Sequence, residues 1–449
     1  MKVVIIGAGN VGIAIAEAAS QSNDVLVIEK DAVRAEKANS VLQVSVLLED
    51  GSNPKVLADA IDRMGADIVF SAVPDDGINI FICSAAKAIK PGIISVACIR
   101  NTDYMMDDIP GVDSVISPES ITAERIVSCA MLENAVSFER TGTAGLCLVT
   151  FKIEDGHQVV GRTVMDLELP PECTVVAIVR EDETDLTVAT AEVKAGDRLI
   201  LLGTWDAAVA FNRLVGIKKE AREFVVLGAG PMARTVARDI DECPGRQFVK
   251  LIDNDLALCK LAARELRDVV VVNGNTVDPM FLRSESVNHA DVLISLSDMD
   301  ERNLLASMTA LRFGNRKIIT RYNTDEYEEI FKYAGIESTI GYHRVIINAV
   351  TEKLAEISDR KGEAVMILDN PSDHFFGIRV DGGSPLLDMF LGDVSLPEEV
   401  CIPAVLRDGE VIYTRLGTRF LGGDLALVYA HEAADYRLSA VFGKHTPEM

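Results

Sequence analysis

No run in this sequence approaches the roughly 18 consecutive apolar residues that a membrane-spanning helix needs, which excludes a span read from hydropathy. Positive charge is also scarce. Against 69 acidic residues stand 44 basic ones, and the net charge of −25 argues against a general affinity for nucleic acid or anionic lipid surfaces. The eight cysteines contain no C-x-x-C pair, so they read as small buried hydrophobes in a reducing compartment. The six histidines contain no H-x-x-x-H pair, and no metal is assigned. An apolar run begins directly after Met1-Lys2, which leaves no room for a cleavable signal and predicts a cytosolic protein.

What the chain does contain is 449 residues, 48% of them hydrophobic, enough for two to four domains with sizeable cores. It opens on "MKVVIIGAGNVG", where an apolar run leads into Gly7-x-Gly9-x-x-Gly12 and then a helical pattern. That is the order of a strand, a tight turn that admits pyrophosphate, and a helix. Near the middle, "EFVVLGAGPMARTV" writes the same order again with Gly228, Gly230 and Ala233.

The repetition extends much further. Glu29 answers Asp253 after the second strand, Pro54 answers Pro279, Asp67 answers Asp291, and Asn79 answers Asn303. "IRNTDY" from Ile99 answers "TRYNTDEY" from Thr320, which pairs Arg100 with Arg321. A second unit of short alternating runs also occurs twice, with Leu169-Pro170, Arg180 and Asp197 answered by Leu396-Pro397, Arg407 and Asp424. The expected boundaries are 1–137, 138–218, 219–358 and 359–449. Apolar helical patterns after Pro118 and His343 tie each α/β half to its β-rich unit.

Strands expected at Val3–Ile6, Val25–Ile28, Val44–Leu47, Ile68–Ala72 and Ile94–Ala97 alternate with helices, which predicts an α/β fold with two Rossmann-like, doubly wound parallel sheets. Glu29 and Asp253 stand where a carboxylate meets the adenine-ribose hydroxyls and repels a 2′-phosphate, favouring NAD(H) or an adenine nucleotide over NADP(H). Asp50 and Asn275 either reach the adenosine side or cap the helices before Pro54 and Pro279. His157 and His374 read as solvated loop residues, and no catalytic residue is assigned. The nucleotide reads as a signal, with an NAD-dependent oxidoreductase and a free-standing cytosolic nucleotide sensor as alternatives.

The motifs "MKVVIIGAGNVG", "DGSNPKVL", "GADIVFSAV", "IRNTDY" and "VISPE", followed by "LPPECTVVAIVR" and "AGDRLILLG", closely resemble the TrkA family of potassium-uptake regulatory subunits. That family is built of tandem KTN/RCK domains, each a Rossmann-like N-lobe followed by a small α+β C-lobe. The resemblance implies a homo-oligomer, dimer or tetramer, forming a ring beneath a membrane-embedded TrkH-like potassium-translocating subunit. It implies NAD(H), ADP or ATP as regulatory ligands. Carried over residue by residue, it places nucleotide contacts at Gly7, Ala8, Gly9, Asn10, Val11, Gly12, Glu29, Asp50, Gly51, Ser52, Ala72, Val73 and Arg100. In the second half they fall at Gly228, Ala229, Gly230, Pro231, Met232, Ala233, Asp253, Gly274, Asn275, Leu296, Ser297 and Arg321. Glu49, Pro74 and Ala233 depart from the pattern, so the two sites are expected to differ in nucleotide preference.

Overall fold

Apolar runs bounded by turn residues become buried parallel strands, and each glycine turn starts a helix, in a computed structural model of the chain. It describes every residue except 102, 103, 105–107, 182, 187, 217–220, 246, 361, 369, 433, 434 and 444–449. Thr102 and Asp103 of the repeated "IRNTDY" stretch therefore lie outside the described residues.

In the first α/β lobe the strands are β1 (Lys2–Ile6), β2 (Asp24–Glu29), β3 (Ser45–Leu48), β4 (Ile68–Ser71), β5 (Ile94–Cys98) and β6 (Ser114–Ile116). Between and after them run α1 (Asn10–Ser20), α2 (Ala32–Val41), α3 (Pro54–Met64), α4 (Asp76–Ile89) and α5 (Pro118–Met131). The sheet order is β3-β2-β1-β4-β5-β6, all parallel, so the order reverses beside β1. Ligands bind outside such a switch point, at the carboxyl ends of the strands. The interior strands are apolar on both faces because helices cover both, and Val4, Ile6, Leu57, Ile61 and Val69 fill one such layer.

The first β-rich lobe comprises β7 (Ala135–Arg140), β8 (Cys147–Lys152), β9 (Cys173–Arg180), β10 (Glu183–Asp185), β11 (Arg198–Gly203) and α6 (Trp205–Val215). The second α/β lobe has β12 (Glu223–Leu227), β13 (Phe248–Asp253), β14 (Val270–Asn273), β15 (Val292–Ser295), β16 (Lys317–Tyr322) and β17 (Ser338–Gly341). Its helices are α7 (Pro231–Glu242), α8 (Leu256–Glu265), α9 (Pro279–Ser284), α10 (Asp300–Phe313), α11 (Glu326–Tyr333) and α12 (Tyr342–Ile357). Its sheet order, β14-β13-β12-β15-β16-β17, repeats that of the first lobe. The chain ends with β18 (Met366–Ile367), β19 (Asp373–Arg379), β20 (Val400–Arg407), β21 (Glu410–Tyr413), β22 (Leu425–His431) and α13 (Asp435–Phe442).

The two β-rich sheets are antiparallel copies, β7-β8-β11-β9-β10 and β18-β19-β22-β20-β21. The duplication extends to single atoms. Arg180 clasps the buried Asp197 through Nε and a terminal amine, both at 2.7 Å, and Arg407 clasps Asp424 in the same way at 2.8 Å. Leu148, Ile200 and Leu202 of the first sheet share one core with Phe375, Leu427 and Tyr429 of the second.

Compactness does not follow sequence order. One unit holds residues 1–123 with 323–325 and 341–354, so most of α12 belongs with the first α/β sheet. The other holds residues 124–322, 326–340 and 355–449, and with them the last turns of α5. There the Lys317 ammonium, buried at the start of β16, donates to the carbonyls of Cys129, Leu132 and Ala135. These carbonyls lie at a helix C-terminus and just beyond it, where a cation is favoured, and each takes the ammonium as a second donor. Burial pulls the Lys317 pKa down from its ordinary value.

Candidate functional site

Strand β1 delivers the chain into Gly7 at φ +102°, a conformation that strains any L side chain. A Cβ there would also lie 2.8 Å from the Ala72 carbonyl oxygen. Gly9 then caps α1 with open space where a Cβ would sit and no side chain bound to the helix amides. By contrast, α2, α3 and α4 start at Asp31, Asn53 and Asp75, whose side chains each accept a helix N–H. The first amides of α1, on Asn10, Val11 and Gly12, are thus left for an external acceptor at the positive end of the helix.

The second turn repeats this with Gly228 at φ +120°, where a Cβ would lie 2.9 Å from the Leu296 carbonyl oxygen, and with Gly230 capping α7 without a side-chain bond. Two details differ. Pro231 opens α7, and proline has no N–H, so this turn offers one amide fewer. A Cβ on Gly12 would lie 1.9 Å from the Gly7 oxygen, whereas Ala233 is fully buried without conflict, so α7 stands off its turn by about a methyl group.

Glu29 is buried, and its two carboxylate oxygens accept the amides of Ala8 at 2.6 Å and Asp31 at 2.8 Å. Asp253 accepts those of Ala229 and Asp255, both at 2.7 Å. Each acid therefore braces the glycine turn from beneath while each oxygen keeps a lone pair for a ribose hydroxyl. The shorter aspartate makes the same pair of bonds as the glutamate.

Asn79 makes four hydrogen bonds from a buried position. It accepts from the Ser71 hydroxyl and the Val73 amide, both at 2.8 Å, and donates to the carbonyls of Val73 at 2.9 Å and Cys98 at 2.8 Å. Asn303 repeats all four with Ser295, Ser297 twice and Arg321. These amides pin the loop after β4 or β15, and with it Ala72, Val73, Leu296 and Ser297, beside the glycine turn. Their role was legible only as a pair of matching letters.

That geometry corrects one pairing. Asn79 reaches Cys98 where Asn303 reaches Arg321, and the ladders agree, since Ser71 lies beside Ala97 where Ser295 lies beside Thr320. Arg321 is therefore the counterpart of Cys98 and not of Arg100. It is 6% exposed, with one terminal nitrogen on the Met232 sulfur at 3.7 Å and the other on Asp298 at 3.0 Å. Pro74 occupies the place of Asp298 in the first lobe. Arg100, two residues beyond the strand end, is half exposed and lies 3.7 Å from Glu119. Burial pushes the Cys98 thiol pKa up.

Gly51 sits under the first turn, where a Cβ would meet the Ile6 side chain at 2.5 Å. Gly274 must be bare because Phe281 covers it, with a Cβ lying 1.9 Å from the ring; Val56 replaces that phenyl in the first lobe, leaving room for Glu49. Asp50 and Asn275 do not cap helices. The caps are Asn53 and Asp278, while Asp50 accepts from the Ser52 amide and hydroxyl and Asn275 from the Val277 amide, each shaping the turn one step earlier. Those Ser52 bonds hold the Asp50 carboxyl below its ordinary range.

The histidine reading needs correction too. His157 is 6% exposed, and its Nδ1 accepts the Glu154 amide at 3.0 Å, while His374 lies within β19. Neither is a solvated loop residue. Lys317 was missed altogether, since a lone lysine before an apolar strand gives no signal of its partners.

Comparison with known proteins follows the same duplication. The TrkA-N domain family matches residues 3–118 and again 224–342, and the TrkA-C domain family matches 148–216. The Trk system potassium uptake protein TrkA homolog 2 of Methanosarcina mazei is 28% identical, across 98% of this chain and 100% of that protein. Among solved structures, the GsuK RCK domain superposes with a TM-score of 0.64 at 15% identity, covering 96% of this chain and 92% of that one. The GsuK channel bound to NAD superposes with a TM-score of 0.63 at 15% identity, covering 98% and 79%. At that identity the likeness establishes the fold.

Proposed function

The chain belongs to the TrkA family, and from that premise we propose that it is the cytosolic, nucleotide-binding regulatory subunit of a potassium-uptake system. It gates a membrane-embedded, TrkH-like potassium-translocating partner through nucleotide-dependent conformational change, as a homo-oligomer, dimer or tetramer, that forms a ring. The observation that carries this reading is the pair of glycine turns, each with uncapped helix amides above a bracing acid, inside two matches to one family. No helix among the described residues is long and apolar enough to cross a membrane. In this reading the partner supplies the path and the nucleotide is a signal. A nucleotide shifts the arrangement only by binding one state better than another, and the ring passes that difference on.

The two sites divide the ligands between them. The first has a full set of helix amides, a buried glutamate, and Cys98 where the second has Arg321, which suits NAD(H). The second lacks one amide at Pro231 and has Arg321 beside the start of α7, which suits the more highly charged phosphates of ADP or ATP. Phosphate draws Arg321 off Asp298, an exchange of one anion for another.

Calorimetric titration of the full chain with NADH, ADP and ATP tests the sites. Gly9 and Gly230 have space for a side chain, so Gly9→Asp and Gly230→Asp fold while placing a carboxylate where phosphate binds. Each variant should lose affinity on the order of 100-fold at its own site only. Potassium flux through vesicles holding the partner should then respond to nucleotide with the wild-type chain. Titrations unchanged by both substitutions, or flux indifferent to every nucleotide, would sink the proposal.

A further inference from the structure

The two β-rich sheets part company at one position. Arg198 follows the clasped Asp197 on β11 as Leu425 follows the clasped Asp424 on β22. Ladder register agrees, since Ile200 lies beside Thr150 where Leu427 lies beside Gly377. In the second lobe this position is packed shut. Leu425 is 6% exposed, and a Cβ on Gly377 would lie 2.2 Å from the Gly362 oxygen and 2.9 Å from a Leu425 methyl. A leucine therefore serves the fold here, and the sheet does not need a guanidinium.

In the first lobe the corresponding face is open. A cavity of about 550 Å³ lies between the first β-rich sheet, α11 and the start of β19, within the size range of small-molecule pockets. Part of its lining is apolar, from the buried Leu148, Ile200 and Leu368. Two donors share that face of the sheet. The Arg198 guanidinium lines the cavity and has no hydrogen-bonding or ionic partner among the described residues. Thr150, its diagonal neighbour across the ladder, accepts from the Ser137 hydroxyl at 3.0 Å and keeps its own proton to give.

The carboxylates of the lining are matched to other groups. Glu139 pairs with Arg125, Glu328 accepts the Tyr322 hydroxyl at 2.7 Å and meets Lys332 at 2.9 Å, and Asp373 accepts the Tyr429 hydroxyl at 2.8 Å and pairs with His431. Glu337 is held by Lys152 at 2.6 Å. Glu329 and Glu432 complete the acids and are exposed. So many carboxylates repel a phosphorylated or multiply charged anion, whereas one guanidinium beside one hydroxyl suits a single carboxylate. The exposed acids suit a positive charge on the solvent side.

We infer that this cavity binds a small zwitterion of the amino-acid class with an apolar side chain, its carboxylate on Arg198 and Thr150 and its ammonium toward Glu329 and Glu432. The site is separate from both glycine turns, and it rests on neither the nucleotide reading nor the transport reading.

Calorimetric titration of the full chain with valine, leucine, methionine and phenylalanine tests it. At least one should bind saturably at one site per chain. The tightest is then compared with its amide and with the acid that lacks its amino group, and loss of either charge should weaken binding at least about tenfold. Arg198→Leu copies the residue of the second lobe, and circular dichroism verifies its fold. It should weaken binding by about 30-fold, and Thr150→Val by about threefold. No saturable binding of any of the four up to about 10 mM, or binding that Arg198→Leu leaves unchanged, would overturn the site. A deaminated acid that binds as tightly as the amino acid would overturn the zwitterion in favour of a simple carboxylate.

Discussion

The first and second α/β lobes hold their glycine turns with the same parts and present different groups to a ligand. Both brace the turn with a buried acid that accepts two amides, and both pin the neighbouring loop with a four-bonded asparagine. On the ligand side, Asn10 stands against Pro231, Cys98 against Arg321, Pro74 against Asp298 and Glu49 against Gly274. The polar groups that hold backbone cannot change without leaving a buried donor or acceptor unmatched. Groups at the mouth meet water or ligand and are free to diverge, so duplication kept the cradle and altered its contents.

The greatest asymmetry in stability should come from Lys317, whose counterpart by ladder register is Ile94. Lys317→Met removes three hydrogen bonds from a charged donor at the end of α5 and should destabilise the second unit by about 4 kcal/mol in denaturant unfolding, against less than about 1.5 kcal/mol for Ile94→Met. Equal losses would erase that distinction. The shared brace predicts the opposite pattern: Asn79→Ala and Asn303→Ala should each cost about 3 kcal/mol, and a large difference between them would show that the two loops are not held alike.

The arginines sharpen the contrast in ligand binding. Arg321→Gln should weaken ADP binding about tenfold, while Arg100→Gln, facing Glu119 from a half-exposed position, should change it by less than about threefold. Comparable losses would restore the pairing that the repeated letters suggest.

The smallest effect concerns His343, which stands at the α12 position answering Glu119. Its Nε2 lies 2.8 Å from Glu17, and Asp325 is the other charge acting on it. The hydrogen bond to Glu17 raises the His343 pKa above its ordinary 6.5 against the opposing effect of burial, and holds the Glu17 carboxyl below its ordinary 4.5. The histidine contribution is complete below pH 6.5 and fades as pH rises through the raised folded value. The glutamate contribution is present above pH 4.5 and is lost as pH falls through the lowered one. The pair therefore stabilises most between those values, by about 0.5 kcal/mol given the exposure of Glu17. Unfolding of His343→Gln across pH 5 to 9 should lose that slope, and an unchanged slope would assign it elsewhere.

Much of this was legible in the letters. The glycine turns, the strand-terminal acids and the buried strands all follow from period, turn chemistry and repetition, which act over a few neighbouring residues. Matching letters misled where an offset changed between landmarks. Arg100 and Arg321 share a motif, but hydrogen-bonding register sets which residue ends a strand, and register depends on the neighbouring strand. Capping was one of two roles read for Asp50 and Asn275, and it falls instead to Asn53 and Asp278, since each stretch offers two capable side chains three residues apart and backbone geometry makes the choice. Sequence by itself determined two nucleotide-binding cradles joined to two β-rich lobes. Tertiary structure alone decided that α12 belongs with the first sheet, that Lys317 closes the end of α5, and that the Arg321 guanidinium stands beside the second turn. Each of those depends on residues distant along the chain becoming neighbours, where burial and register decide between alternatives that local pattern leaves equal.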